Sequence, residues 1–214
     1  MTIRVARKRA DTYQHGDLRP ALIQAGLKLL GEQGVQGLSL RGAAQLAGVS
    51  HAAPYRHFRD KGALVAAIAE EGFHLLTERM RGEIDGCGST EYWARLRACA
   101  VGYVSFAIEY PAHFKTIFGT AFAGAESDTT VSDSLRLASN RAFDVLRELI
   151  VEGARRGKLR SGDVDELCLA AWSMVHGLGM LIVDVNVGGL RDKPSAVREM
   201  TENLVRFLEG GLRK

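Results

Sequence analysis

Apolar residues recur along nearly the whole chain with the period of an α-helix. Leu18, Leu22, Ala25, Leu29 and Leu30 fall at i, i+4, i+7, i+11 and i+12, one continuous stripe. This predicts a first helix from near Asp17, a capping side chain, with Pro20 in the first turn and Gly34 and Gly37 at the end. Ser39 marks a second start, ahead of Leu40–Ala47. A short third helix is predicted from Ser50 to about His57. Asp60 caps a fourth, Lys61 to about Asp85, with Leu64, Ile68, Leu75 and Leu76 on one side. The Gly86-Cys87-Gly88-Ser89 stretch breaks the pattern. Beyond it the periodicity predicts helices over 90–110, 111–123, 130–157, 163–187 and 194–212. Sustained period-2 alternation is missing, so the expected fold class is all-α.

Composition narrows this. Of 214 residues, 46% are apolar and 25% charged, which excludes a disordered chain and leaves room for one or two domains. Cys87, Cys99 and Cys168 lie far apart without a C-x-x-C, which speaks against a disulfide framework or a zinc site. A reducing, cytoplasmic setting is expected, and the polar, basic Met1–Arg19 has no apolar core of a secretory signal. Leu167–Val183 carries no formal charge, but it is bounded by Glu166 and Asp184 and contains Ser173 and His176. It is shorter than the ~20 residues a span needs. It reads as a buried or interface helix, and no membrane is expected as a partner.

The charge is unevenly distributed. The net charge is +3, yet residues 1–61 hold 10 Lys and Arg against 4 Asp and Glu, a balance of +6. The remainder holds 18 against 21, a balance of −3. Only the first part suits a polyanion. Residues 1–14, with Arg4, Arg7, Lys8 and Arg9, read either as a free tail or as a basic arm for DNA.

Ser39–Phe58 is the most specific segment. Two short helices meet at Gly48, where a sharp corner calls for positive φ. Ala44 is small enough for close packing, Val49 is expected in the core, and Ser50 is expected to cap the next helix through its side chain. This is a helix-turn-helix, whose second helix enters the major groove of DNA. Arg41 and Arg56 supply long bidentate donors, Tyr55 and His57 can donate to phosphate, and Ala52 and Ala53 allow close approach to a thymine methyl.

The run Leu40–Leu64, with Val49-Ser50-His51-Ala52-Ala53-Pro54-Tyr55-Arg56-His57-Phe58 and Asp60-Lys61-Gly62-Ala63-Leu64, resembles the N-terminal domain of TetR-family transcriptional regulators. The resemblance is strong over about residues 17–65, and the Trp172…His176-Gly177 stretch resembles the C-terminal domain of one subgroup. It implies that Ser39 caps the second helix and meets a phosphate, and that Arg41 reaches DNA. Ser50, His51, Ala52 and Ala53 would begin the recognition helix. Tyr55 and His57 would hold phosphates, and Lys61 would hold another at a helix N-terminus. Pro54 departs from the family, which usually has a larger aliphatic residue there. As the fourth residue after a Ser50 cap it removes a backbone donor; in a helix starting one residue later it removes none.

Residues 86–214 contain no H-E-x-x-H, G-x-S-x-G, Walker loop or G-x-G-x-x-G, so no enzyme, catalytic residue, cofactor or metal is expected. Phe106, Tyr110, Phe114, Phe118 and Phe122 recur at helical spacing around Pro111, and Trp172, His176 and Met180 recur every four residues. These positions read either as core or as the lining of a pocket for a small, partly apolar effector. His176 reads as a ligand contact or a structural hydrogen bond.

Helices 163–187 and 194–212 are the expected homodimer interface. Gly177 and Gly179 would allow close approach there, and Val197, Met200, Leu204, Phe207 and Leu208 would share one face. The expected organisation is an arm over 1–14, a three-helix DNA-binding domain over 15–62, a connecting helix over 63–85 and an effector-binding and dimerisation domain over 86–214. The expected function is that of a dimeric regulator of palindromic operator DNA, most simply a ligand-released repressor. An activator or ligand-independent factor of the same fold, or a helical carrier or enzyme, stays open as an alternative.

Overall fold

The structure is a computed structural model and describes residues 18–119 and 133–212. Among the described residues eight α-helices follow one another: α1 (Leu18–Gly37), α2 (Leu40–Leu46), α3 (Lys61–Gly86), α4 (Tyr92–Glu109), α5 (Pro111–Phe118), α6 (Asp133–Arg155), α7 (Val164–Met180) and α8 (Pro194–Leu212). No strand occurs among the described residues. Asp17, the basic arm and Phe122 lie outside them, as does the end predicted for the 111–123 helix.

Two hydrophobic cores share one helix. The first gathers Leu22, Ile23 and Leu29 of α1, Leu40 and Ala43 of α2, and Leu64 and Ile68 from the start of α3. Leu22, Ala43, Leu64 and Ile68 are fully buried, and each large aliphatic side chain so placed contributes roughly 1.5–3 kcal/mol. The second core begins at Ala69 on the same α3, continues through Phe73, Leu76 and Met80, and extends across α4 to α8. The periodicity of α3 is therefore used twice, by different neighbours at its two ends.

Local signals explain the element ends. Ser39 Oγ accepts from Gly42 N at 3.0 Å, and Asp60 Oδ1 accepts from Ala63 N at 2.8 Å, both N-caps. Gly34 takes φ +66 and kinks α1 near its end. Close packing is set at Gly102, where a Cβ would lie 2.6 Å from the backbone of Met80 on α3.

Several expectations change. The predicted third α-helix is a single 3-10 turn, Ala53–Arg56, preceded by Ala52, and no side chain caps it. Ser50 supplies its main-chain carbonyl instead, accepting from Ala53 N at 3.0 Å. Pro54 falls in the first turn of that segment, where its missing N–H costs nothing. The 163–187 helix ends its α-helical part at Met180 and continues as a π-helical turn, Leu181–Val185.

Gly179 allows close packing within the chain itself: a Cβ there would lie 3.2 Å from the Phe114 ring and 3.5 Å from Ala107. The face predicted for α8 also divides. Val197, Thr201, Val205, Leu208 and Leu212 are buried, and Met200 and Phe207 point outward. Val164–Val185 is long and apolar enough by composition to cross a membrane, and its buried residues, Leu167, Ala171, Val175 and Ile182 among them, belong to the second core.

Candidate nucleic-acid interface and ligand cavity

The corner between α2 and the 3-10 turn is built as a helix-turn-helix requires. Gly48 adopts φ +70, Ala44 is fully buried, and Val49 N donates to Ala44 O at 3.0 Å. Pro54 and Phe58 anchor the turn from beneath, Phe58 being 3% exposed. His57 N and Phe58 N both donate to Pro54 O at 2.9 Å, which locks the end of the segment.

On this frame Ser39, Arg41, Ser50, His51, Ala52, Tyr55, Arg56 and His57 are exposed, and Ala53 is half-buried. Tyr55 is 55% exposed although it is a large aromatic residue. Its hydroxyl and the Arg41 and Arg56 guanidiniums make no hydrogen bond or ion pair with other described residues, so these donors are available to an anionic backbone.

Lys61 is placed differently. Its Nζ donates to the Val35 carbonyl near the end of α1. The ammonium expected on phosphate is held by the protein's own backbone, where it ties α3 to α1. Sequence reading also passed over Arg19, whose guanidinium carbon lies 5.6 Å from the Phe58 ring centroid, beside the turn. Its place in the first turn of α1 shows no link to Phe58 until α1 packs beside the end of the recognition turn.

The second core lines a partly open cavity of about 450 Å³, within the range of small-molecule sites. Phe73, Leu76 and Met80 of α3 form one wall, and Cys99, Ala100 and Tyr103 of α4 another. Ile117 and Phe118 close it from α5, Trp172 and Val175 from α7, and Val205 and Leu208 from α8. Ser139, Asn140 and Phe143 of α6 stand at its more exposed edge.

Of the aromatic positions singled out in the sequence, Phe118 and Trp172 line this cavity. Phe106 and Phe114 are fully buried in the packing around it and take no part in the lining. Tyr110 and Met180 pack at the edge of the same core, away from the lining.

His176 sits behind the wall, its ring 4.8 Å from Phe118 and 5.2 Å from Trp172 between centroids. Its Nδ1 lies 2.9 Å from the Tyr103 hydroxyl, which also accepts from Trp172 Nε1 at 3.1 Å. Burial holds the His176 imidazole below the usual histidine range and pushes the Tyr103 hydroxyl up. Both are neutral near pH 7, and a neutral imidazole can accept the Tyr103 proton at Nδ1. Of the two readings of His176, the geometry is that of a structural hydrogen bond. The walls from α3, α4 and α6 escaped the sequence reading because a cavity lining and a packed core have the same periodicity.

Three helices meet where the two cores adjoin. Gln24 Nε2 of α1 donates to Glu71 Oε1 of α3 at 3.0 Å, and His113 Nε2 of α5 lies 3.4 Å from that same oxygen. His113 is 3% exposed. Gly72 permits this approach, since a Cβ there would come within 3.0 Å of Ile117 and 3.3 Å of His113.

Two family descriptions match the chain, one in each part. The family described as bacterial regulatory proteins, tetR family, matches residues 22–68, and the tetracyclin repressor-like C-terminal domain matches residues 96–208. The tetracycline repressor protein class A of Escherichia coli is 51% identical over 49 residues, 23% of each chain. The chain thus aligns with about a quarter of that relative's length. A solved structure of a protein of unknown function from Rhodococcus sp. RHA1 superposes with a TM-score of 0.77 at 31% identity, covering 96% of this chain and all of that one. The TetR-family regulator PfmR of Thermus thermophilus superposes with a TM-score of 0.66 at 22% identity, over 90% and 99% of the two chains. That likeness is one of fold.

Proposed function

Because this chain belongs to the TetR family of bacterial transcriptional regulators, we propose that it is a homodimeric repressor released from palindromic operator DNA by a small apolar effector. The observation that carries this reading is the double use of α3. Its first turns pack under the helix-turn-helix, and Phe73, Leu76 and Met80 further along it wall the cavity. A ligand that reshapes the cavity acts on the helix that seats the DNA-binding domain.

In this reading residues 15–62 bind DNA, 63–85 connect, and 86–214 bind effector and dimerise. Arg41, Tyr55, Arg56 and His57 clamp phosphates, as does Ser39 at the start of α2. Ser50, His51, Ala52 and Ala53 approach the bases. Dimerisation uses α7, its π-helical continuation and α8, whose outward residues include Leu169 at 56%, Leu181 at 50%, Val185 at 67% and Phe207 at 78% exposure. Apolar surface of this kind on adjacent helices marks an interface. A two-fold dimer sets two recognition turns about 34 Å apart, one turn of DNA. The protein acts as a regulator in the cytoplasm, without catalysis, and the sign of its action is the family's commonest.

The test is fluorescence anisotropy on the duplex upstream of the protein's own gene, against a scrambled duplex, over a salt series. Specific binding with a steep salt slope is expected, and Tyr55→Phe with Arg41→Ala lowers affinity equally on both duplexes and flattens the slope. A folded dimer that binds neither duplex at low salt overturns the reading.

A further inference from the structure

We infer that the effector of the α3–α8 cavity is an uncharged molecule with an aromatic or polycyclic body, whose one polar group lies at the Ser139–Asn140 edge. The inference rests on the reading of this cavity as the effector site.

The lining carries the argument. Among the described residues, no side chain that lines the cavity bears a formal charge. A carboxylate or ammonium entering it would lose its hydration and meet no counter-ion, a penalty that buried ion pairs exist to offset. Salt bridges of the surrounding helices stand elsewhere. Arg95 on Glu152 at 2.6 Å and Arg198 on Glu83 at 2.7 Å are already paired, and neither residue pair lines the cavity.

Polar chemistry inside the cavity is already committed. The Tyr103 hydroxyl is engaged by Trp172 Nε1 and His176 Nδ1. The Cys99 thiol, 3% exposed, lies 3.9 Å from Met80 Sδ, and burial pushes its pKa up to about 12, so it is a neutral, apolar wall. Deep in the site a ligand meets aromatic rings and aliphatic carbon: Phe73, Tyr103, Phe118 and Trp172 with Leu76 and Val175. Aromatic bodies pack favourably against such rings, stacked or edge to face. Uncommitted polar groups occur at the α6 edge, where Asn140 is exposed and Ser139 is half-buried. A hydroxyl or carbonyl fits there, at the end of the molecule nearest water.

The experiment compares probes of one skeleton, matched in bulk and different in charge, on the full-length protein. The neutral probe is 8-anilinonaphthalene-1-sulfonamide, and the 1-sulfonate of the same skeleton carries a negative charge. The same skeleton with a trimethylammonium group in that position carries a positive one. Binding is followed by dye emission and by quenching of tryptophan emission, with competition for the cation, and each probe is also tested for release of bound operator. The neutral probe is expected to bind at least tenfold more tightly than either ion and to release the operator.

Phe143→Lys, at a position 43% exposed and therefore tolerant of charge, is expected to raise affinity for the sulfonate at least tenfold. Equal binding of an ion and the neutral probe overturns the inference and leaves the cavity as the effector site. Binding of none of the three by a protein that still holds operator overturns the cavity itself as that site, and the inference with it. A sulfonate affinity unmoved by Phe143→Lys places the dyes outside the cavity and also overturns it.

Discussion

Gln24 of α1 and Glu71 of α3 share a hydrogen bond of 3.0 Å, and it joins α1, which packs against the helix-turn-helix, to the helix that walls the cavity. The same carboxylate oxygen faces His113 on α5 at 3.4 Å. Ile117, one turn beyond His113, lines the cavity. Under the proposed function, displacement of α5 by a ligand would reach Glu71, and through it α1. A coupling between sites of this kind is typically about 1–3 kcal/mol. Glu71→Ala is expected to cut the factor by which a ligand weakens operator binding several-fold. Ligand affinity of the DNA-free protein should hold. The check is a pair of titrations with and without operator; unchanged release in the variant would remove Glu71 from the coupling.

Lys61 separates two roles that one residue could play. Its ammonium donates to the Val35 carbonyl, a charge-assisted bond worth about 1.5–3 kcal/mol when part-buried. Lys61→Met is expected to lower the melting temperature by several degrees and to weaken DNA binding with little change in salt slope. A loss of about one unit of slope with an unchanged melting temperature would instead put this ammonium on a phosphate.

Phe207 is 78% exposed on α8, beyond the reach of its own core. Phe207→Asp is expected to turn a dimer into a monomer in sedimentation, with operator affinity falling together with the dimer and the fold retained in circular dichroism. A variant that sediments as a dimer would place the interface on another face.

Two histidines make stability depend on pH. Burial lowers the pKa of His113, against the pull of Glu71 in the other direction, and burial lowers that of His176. An unfolded histidine titrates near about 6.5. As pH falls below that value the unfolded chain takes up protons that the folded chain refuses, until each folded pKa is reached. Stability is thus fully present above about pH 6.5 and is lost on acidification below it. Melting temperature is expected to be flat from pH 7 to 8 and to drop toward pH 5, and to drop less in a His113→Gln, His176→Gln double variant. An equally steep drop in that variant would assign the loss to the carboxylates.

What the sequence determined by itself is everything carried by local physics. The stripe from Leu22 to Leu29, the caps at Ser39 and Asp60, and the positive φ at Gly48 depend on neighbours a few residues away. So the helices, the corner and the exposed Tyr55 and Arg56 beside it could be read directly.

Tertiary structure decided whatever depends on which helix packs against which. Phe114 and Phe118 lie on one short helix with the same chemistry, yet Phe114 is sealed in packing and Phe118 faces a cavity. Val205 turned inward and Phe207 outward because α8 meets α4 along one stripe only. Ser50 lost its capping role because Pro54 and Phe58 draw the recognition segment into a 3-10 turn anchored on the first core. Burial is a property of pairs of surfaces, and a periodicity describes only one of the two.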